Sequence, residues 1–138
     1  SKQPETYYII ELNEKYHEGF KKIHNKFHPD VYWTGERLLN ALDKFDIFIA
    51  LDNNVIGSVV TSSLSKKAEE IYFIEVKEDR QNHGVATSLL NKALQKAFCI
   101  GAEELTVLLE KENTAAIHLF EKFGFRKTDT CVTLSTII

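Results

Sequence analysis

The sequence predicts an α/β (α+β) fold, a mixed central sheet with helices on both faces, in the order β-α-α-β-β-β-α-β-α-β. Three observations carry that prediction. In the second half, Glu69 to Gly101 reads as a buried strand, a tight turn and an amphipathic helix, and Leu105 to Gly124 repeats strand then helix. Such alternation implies parallel pairing through right-handed crossovers. In the first half, two apolar runs flank Asp52-Asn53-Asn54, residues that tolerate left-handed backbone and close hairpins. At 138 residues the chain is long enough for one core, so a single domain over 1–138 is expected.

Thr6 to Leu12, TYYIIEL, is aromatic and β-branched and reads as the first strand. The period then changes. Tyr16, Phe20, Ile23 and Phe27 recur at helical spacing and give one apolar face to a helix that ends before Pro29. His17, His24 and His28 lie on a stripe bordering that face. An i, i+4 histidine pair can bind zinc, but no carboxylate or cysteine in the segment completes a set, so no metal site is expected. A second short helix runs from Gly35 to Lys44, with Thr34 as its cap and Leu38, Leu39 and Leu42 facing inward. Asp46 to Leu51 and Val55 to Thr61 are the hairpin strands, and the polar stretch from Ser62 to Ala68 is a loop.

After the central strand, Ala86, Leu89, Leu90, Ala93, Leu94, Ala97 and Phe98 form the buried stripe of a helix that Gly101 stops. Leu105 to Leu109, LTVLL, is nearly continuously apolar, as for an inner strand covered on both faces. Asn113 or Thr114 caps the next helix, whose inward residues are Ala116, Ile117, Phe120 and Phe123 and which ends at Gly124. From Phe125 through Thr133 and Leu134 the alternation returns as a final strand.

A net charge of −3 and a pI near 5.9 argue against nucleic acid, whose partners carry a basic face. The longest apolar runs fall far below the roughly 20 residues that span a bilayer, so no membrane partner is expected. Cys99 and Cys131 lack metal spacing and read as reduced, partly buried thiols of a cytoplasmic protein. The chain has no methionine, so Ser1 follows a removed initiator, a cleaved tag or a truncation.

The chemistry concentrates at Gln81-Asn82-His83-Gly84-Val85-Ala86. A strand feeding a helix through this turn aims several backbone N–H groups, and the positive end of the helix dipole, at one point suited to an anion. Gln-x-x-Gly-x-Ala, five residues after Val76, resembles the acyl-CoA-binding signature of the GNAT superfamily of N-acyltransferases. Ile74-Glu75-Val76 and the run from Glu112 through Asn113 and Phe120 to Phe125 resemble two further segments of that family, in the same order. The resemblance covers nearly the whole chain and implies the GNAT sheet, with acetyl-CoA as cosubstrate.

Carried over by resemblance, Val76 offers backbone groups to the pantetheine arm and polarises the thioester carbonyl. Gln81, Asn82, His83, Gly84, Val85, Ala86 and Thr87 surround the pyrophosphate, and Ile74, Glu75, Asn113, Ala116 and Phe120 complete the cofactor contacts. Asn113 serves equally as a simple helix cap, and His83 as a solvated loop residue. The family often has a tyrosine where this chain has Phe120, and that tyrosine is taken to protonate the departing thiolate. Phenylalanine cannot donate a proton, so activity is expected to be weakened or reassigned.

An alkylammonium acceptor, with a pKa near 10.4, must lose a proton before it attacks. Glu70 and Glu75 are the candidate bases, and each reads equally as a solvated strand-end carboxylate. Tyr72, expected on the strand face opposite Glu75, is a further candidate for the missing phenol. His24, His28, Asp30, Tyr32 and Trp33 are expected on the rim of an acceptor pocket formed by the first two helices and the last strands. The expected activity is acetyl transfer to a primary amine of a small molecule or peptide by direct attack in a ternary complex. The competing reading is a catalytically weak or inactive acyl-CoA-binding domain, a sensor or one half of a larger two-domain acyltransferase. Dimers are frequent in the family, so a homodimer is admitted. A nucleotide binder of another family is disfavoured by the absence of a Gly-x-x-x-x-Gly-Lys-Ser/Thr loop and of a three-glycine fingerprint.

Overall fold

The computed structural model describes residues 6–63, 65–109, 111–127 and 133–138. Along it run β1 (Tyr8–Glu11), α1 (His17–Phe27), α2 (Gly35–Leu39), β2 (Asp46–Asp52), β3 (Asn54–Ser63), β4 (Ala68–Val76), α3 (Val85–Cys99), β5 (Glu104–Leu108), α4 (Thr114–Lys122), β6 (Arg126–Lys127) and β7 (Thr133–Ile137). Short 3-10 turns precede α1 and α3. The strands form one sheet in the order β1-β2-β3-β4-β5-β7-β6. Among the described residues only β4 and β5, joined by the α3 crossover, pair in parallel; the other neighbours are antiparallel.

Alternation along the strands sorts side chains into two cores. Phe48, Ala50, Ile56, Val59, Ile71 and Val76 face α3 and α4, while Ile47, Ile49, Val55 and Val60 face α1 and α2. The hairpin turn works as its residues imply, with Asn53 at φ 62°. Thr34 caps α2 by accepting from the Arg37 amide, and Asn113 caps α4 by accepting from the Ala116 amide.

Several expectations are corrected. The helix from Gly35 stops at Leu39 and continues only as turns, so Leu42 loses the helical phase and stands 43% exposed. Phe98 is 70% exposed because Ala97 takes the inward position in that turn and Phe98 lies about 100° round the helix. Along β5, Leu105 and Val107 are buried and Leu108 is 64% exposed, so the strand alternates instead of being covered on both faces. The expected final strand is two, β6 and β7, and β7 inserts between β5 and β6. Cys99 is exposed, whereas Cys131 falls outside the described residues.

Two irregularities in β4 shape the surface on either side of it. Its pairing with β3 passes from Thr61↔Ile71 to Val60↔Phe73, so Tyr72 is an extra residue, a β-bulge. Its pairing with β5 ends at Ile71↔Val107, although β4 itself continues to Val76. On the α3 face, Lys96 Nζ bridges Glu69 Oε2 at 2.7 Å and Asp46 Oδ2 at 2.6 Å, which gives the fully buried Glu69 its countercharge.

Candidate active site

From Tyr72 to Val76 one edge of β4 faces away from β3 with no β5 partner. Backbone groups along such an edge must be satisfied by another chain, by water or by a ligand. The edge leads into the turn that opens α3. There Asn82 sits at φ 66° and Gly84 at φ 82°, and Gly84 is the N-cap of α3 with no side chain capping it. No acidic residue occupies the first turn of α3. Uncapped N–H groups at the positive end of a long helix, without a neighbouring carboxylate, suit an anion. Gln81, Asn82, His83 and Gly84 are exposed, Ala86 and Thr87 are half-buried, and Val85 points into the core.

The turn is tied down from both sides. Gln81 donates through Nε2 to the Val76 carbonyl at 3.0 Å, so that carbonyl already has one partner. The Tyr7 hydroxyl lies 2.7 Å from Ser88 Oγ and donates to the Gly84 carbonyl at 3.2 Å. At the same end of the sheet, a hollow of about 650 Å³ between α1 and the β2–β3 turn is lined by Lys15, Lys22, Lys26 and Lys77, with Glu78 among them.

On the opposite face of β4, toward α1 and α2, lie both carboxylates named from the sequence. Burial pushes the Glu70 carboxyl above its ordinary range, opposed by a hydrogen bond from Tyr72. Burial and the Glu70 charge in turn raise the Tyr72 phenol, keeping it protonated. The bulge explains why Tyr72 packs on the α1 and α2 side, stacked edge-on to Phe45, and not on the face opposite Glu75 as simple alternation implied. Trp33 extends this aromatic wall through Phe45, and exposed Tyr32 stands edge-on to Trp33.

Glu75 is only 5% exposed and is engaged on both oxygens. Ser58 donates to Oε1 at 2.7 Å, and His28 Nε2 lies 3.2 Å from Oε2. His24 Nδ1 stands 3.5 Å from Oε1. Burial alone would raise its pKa, but the His24 and His28 imidazoles and the Ser58 hydroxyl outweigh it and hold the carboxyl below its ordinary range. Glu75 is therefore no solvated strand-end carboxylate, and fully buried His24 is no rim residue. The carboxylate that the histidine stripe lacked within its own segment comes from β4.

The profile of the acetyltransferase (GNAT) family matches residues 6–125. The chain belongs to the GNAT acetyltransferase family. An uncharacterized N-acetyltransferase of Methanocaldococcus jannaschii is 27% identical over 131 residues, covering 88% of this chain and 56% of that protein. The PaiA N-acetyltransferase of Thermoplasma acidophilum, solved with coenzyme A, superposes with a TM-score of 0.82 at 16% identity, covering 97% and 100% of the two chains. A GNAT acetyltransferase of Elizabethkingia anophelis, solved with acetyl-CoA, superposes with a TM-score of 0.76 at 20% identity, covering 96% and 98%.

In this GNAT domain, Phe120 is fully buried and packs edge-on to Phe125 at 5.0 Å, so packing accounts for the residue. The Asn113 side-chain carbonyl and the Ala116 amide satisfy each other as helix cap and first-turn donor. Among the described residues no helix is long and apolar enough to cross a membrane. The last-strand wall of the expected acceptor pocket includes residues 128–132, outside the described residues. Sequence reasoning missed Tyr7 and Ser58. A lone hydroxyl inside the apolar run Val55 to Val60 was the visible sign of Ser58; nothing local marked Tyr7.

Proposed function

We propose that this domain transfers an acetyl group from acetyl-CoA to a primary amine of a small molecule or peptide, by direct attack within a ternary complex. The observation that carries this reading is the unpaired edge of β4 running into the uncapped start of α3. The pyrophosphate would sit on the turn amides while the pantetheine arm hydrogen-bonds along the edge. At about 3.3 Å per residue the edge is about 16 Å long, which carries the thioester toward the bulge at Tyr72, beside Glu70. The ligands named for the Thermoplasma and Elizabethkingia proteins fit this reading.

Glu70, whose proton affinity is raised by burial, is the base that takes the ammonium proton. The nitrogen lone pair then attacks the carbonyl carbon and a tetrahedral adduct forms; its nitrogen gives up the remaining extra proton to solvent, the carbonyl re-forms, and the C–S bond breaks with its electron pair on sulfur. A thiol with a pKa near 8.5 is a fair leaving group, and the protonated Tyr72 hydroxyl is a donor on the Glu70 side. Glu75, engaged on both oxygens and weakly basic, contributes no base. The aromatic wall of Trp33, Phe45 and Tyr72 suits the carbon stem and charge of an amine. The free, exposed Cys99 is compatible with a cytoplasmic setting.

The test is thiol release from acetyl-CoA with a panel of polyamines, amino acids, aminoglycosides and peptides. Acceptor-dependent release is expected, and Glu70→Gln should lower kcat by roughly 100- to 10,000-fold while leaving the acetyl-CoA Kd unchanged. A second reading, binding without turnover, is favoured by the buried Phe120 at the position where the family often has tyrosine. Tight acetyl-CoA binding with no release above the buffer rate for any amine would select it.

A further inference from the structure

His24 and His28 lie one helical turn apart, with His28 at the C-cap of α1, and the alternation of β4 sets Glu75 between them. One ligand atom from each of the three falls within 4.8 Å of the others. The His24 ring is fully buried, and its Nε2 lies 2.7 Å from the Trp33 carbonyl. A carbonyl only accepts, so Nε2 carries a proton, and in the neutral ring Nδ1 then presents its lone pair to Glu75. That Nδ1 has no hydrogen-bond partner, and the atom facing it at 3.5 Å is a carboxylate oxygen. In that tautomer two lone pairs face each other in a buried site and repel unless a proton or a metal ion stands between them. Among the described residues no lysine or arginine pairs with Glu75; the groups that face its oxygens are the two histidines and the Ser58 hydroxyl.

A metal ion meets that requirement in distance as well as in charge. Nitrogen and oxygen ligands held about 2.0 to 2.2 Å from a tetrahedral ion stand about 3.4 Å apart. His24 Nδ1 stands 3.5 Å from Glu75 Oε1 and His28 Nε2 stands 3.2 Å from Glu75 Oε2, each near that spacing and one to each carboxylate oxygen. Outer contacts of the kind that fix metal ligands are also in place: the Trp33 carbonyl sets the His24 tautomer, and the Ser58 hydroxyl orients Glu75. Phe20 and Phe73 wall the imidazoles with apolar rings, which lowers the local dielectric and strengthens binding of a charged ion. His28 is the half-exposed member and leaves the approach from solvent.

We propose that His24, His28 and Glu75 form a binding site for a divalent first-row transition ion, best matched by Zn²⁺, with solvent at the remaining position on the His28 side. Two imidazoles and one carboxylate suit zinc, with Co²⁺ as a spectroscopic substitute. The bound ion would clamp α1 to β4 immediately before Val76. This site does not depend on acetyl transfer, and its test uses no acetyl-CoA.

The chain is stripped with a chelator, exchanged into chelator-free buffer and titrated with Zn²⁺ by calorimetry, with thermal melts in parallel and Co²⁺ titrated for visible absorption. The expected result is one ion per chain, a higher Tm with Zn²⁺, and cobalt ligand-field bands without a thiolate charge-transfer band. Because Glu75 is buried and its replacement can cost the fold, His28→Ala carries the test, with Glu75→Gln beside it. Zn²⁺ affinity should fall by roughly 100-fold or more in His28→Ala, and by about 10-fold in Ser58→Ala. No stoichiometric binding, a thiolate band, or equal affinity in His28→Ala overturns the proposal.

Discussion

Gly84 concentrates local strain and ligand access in one residue. Its φ of 82° is open to glycine and costs an L-residue roughly 1 kcal/mol, while a Cβ there would meet nothing closer than the Tyr7 hydroxyl at 3.9 Å. Gly84→Ala should therefore lower Tm by a few degrees through backbone strain alone, as calorimetry can check. Tyr7→Phe removes the contacts to Gly84 and Ser88 and should cost about 1 kcal/mol. Glu70 behaves oppositely. Its folded-state pKa is raised, so the folded state holds the proton more tightly than the unfolded chain and stability declines as pH rises through that window. Glu70→Gln should leave Tm at pH 7 unchanged or higher, with the difference vanishing below about pH 4, where the parent is protonated in both states. A clear fall in Tm at pH 7 would sink that assignment. The turn from Gln81 to Ala86 was legible because its conformation is set within its own residues. Tyr7 was not, because what it does depends on a partner 81 positions away.

At the level of elements, α3 is held to the sheet by charge as well as by its apolar stripe. Lys96 is the countercharge of fully buried Glu69, and removing one partner of such a pair costs about 3–5 kcal/mol. Lys96→Ala should lower Tm by roughly 10–20 °C, whereas the double replacement Lys96→Met, Glu69→Leu should recover much of the loss. If the double variant melts no higher than the single, the pair is not what carries the effect. Periodicity and caps made most elements readable, since Thr34 and Asn113 announce their helices and the hairpin announces its turn. What it missed were phases and ends. Phe98 is as apolar as Leu90, and only the direction in which α3 meets the sheet decides that one is buried and the other not.

In the whole molecule, the sheet is continuous from β1 to β6 except where β4 and β5 part. Acetyl-CoA at about 100 times its dissociation constant should add about 2.7 kcal/mol, a rise in Tm of several degrees that Gly84→Glu abolishes. Hydrogen exchange of the amides from Tyr72 to Val76 should slow in the same complex, and unchanged exchange there would contradict an arm lying along that edge. The sheet order was not legible: insertion of β7 between β5 and β6 follows from long-range packing, which no local pattern records. Nor was the extra residue at Tyr72, and its consequence reaches beyond this chain. Glu70 and Glu75 have opposite parity, and a regular strand would send them to opposite faces; the bulge brings both to the α1 side. A protein engineer moving this pair of carboxylates onto another sheet could not graft the two residues alone. At their native spacing of five the insertion has to travel with them; filling the bulge's place on the partner strand, so that Tyr72 pairs as an ordinary residue, would send the two carboxylates to opposite faces without touching either.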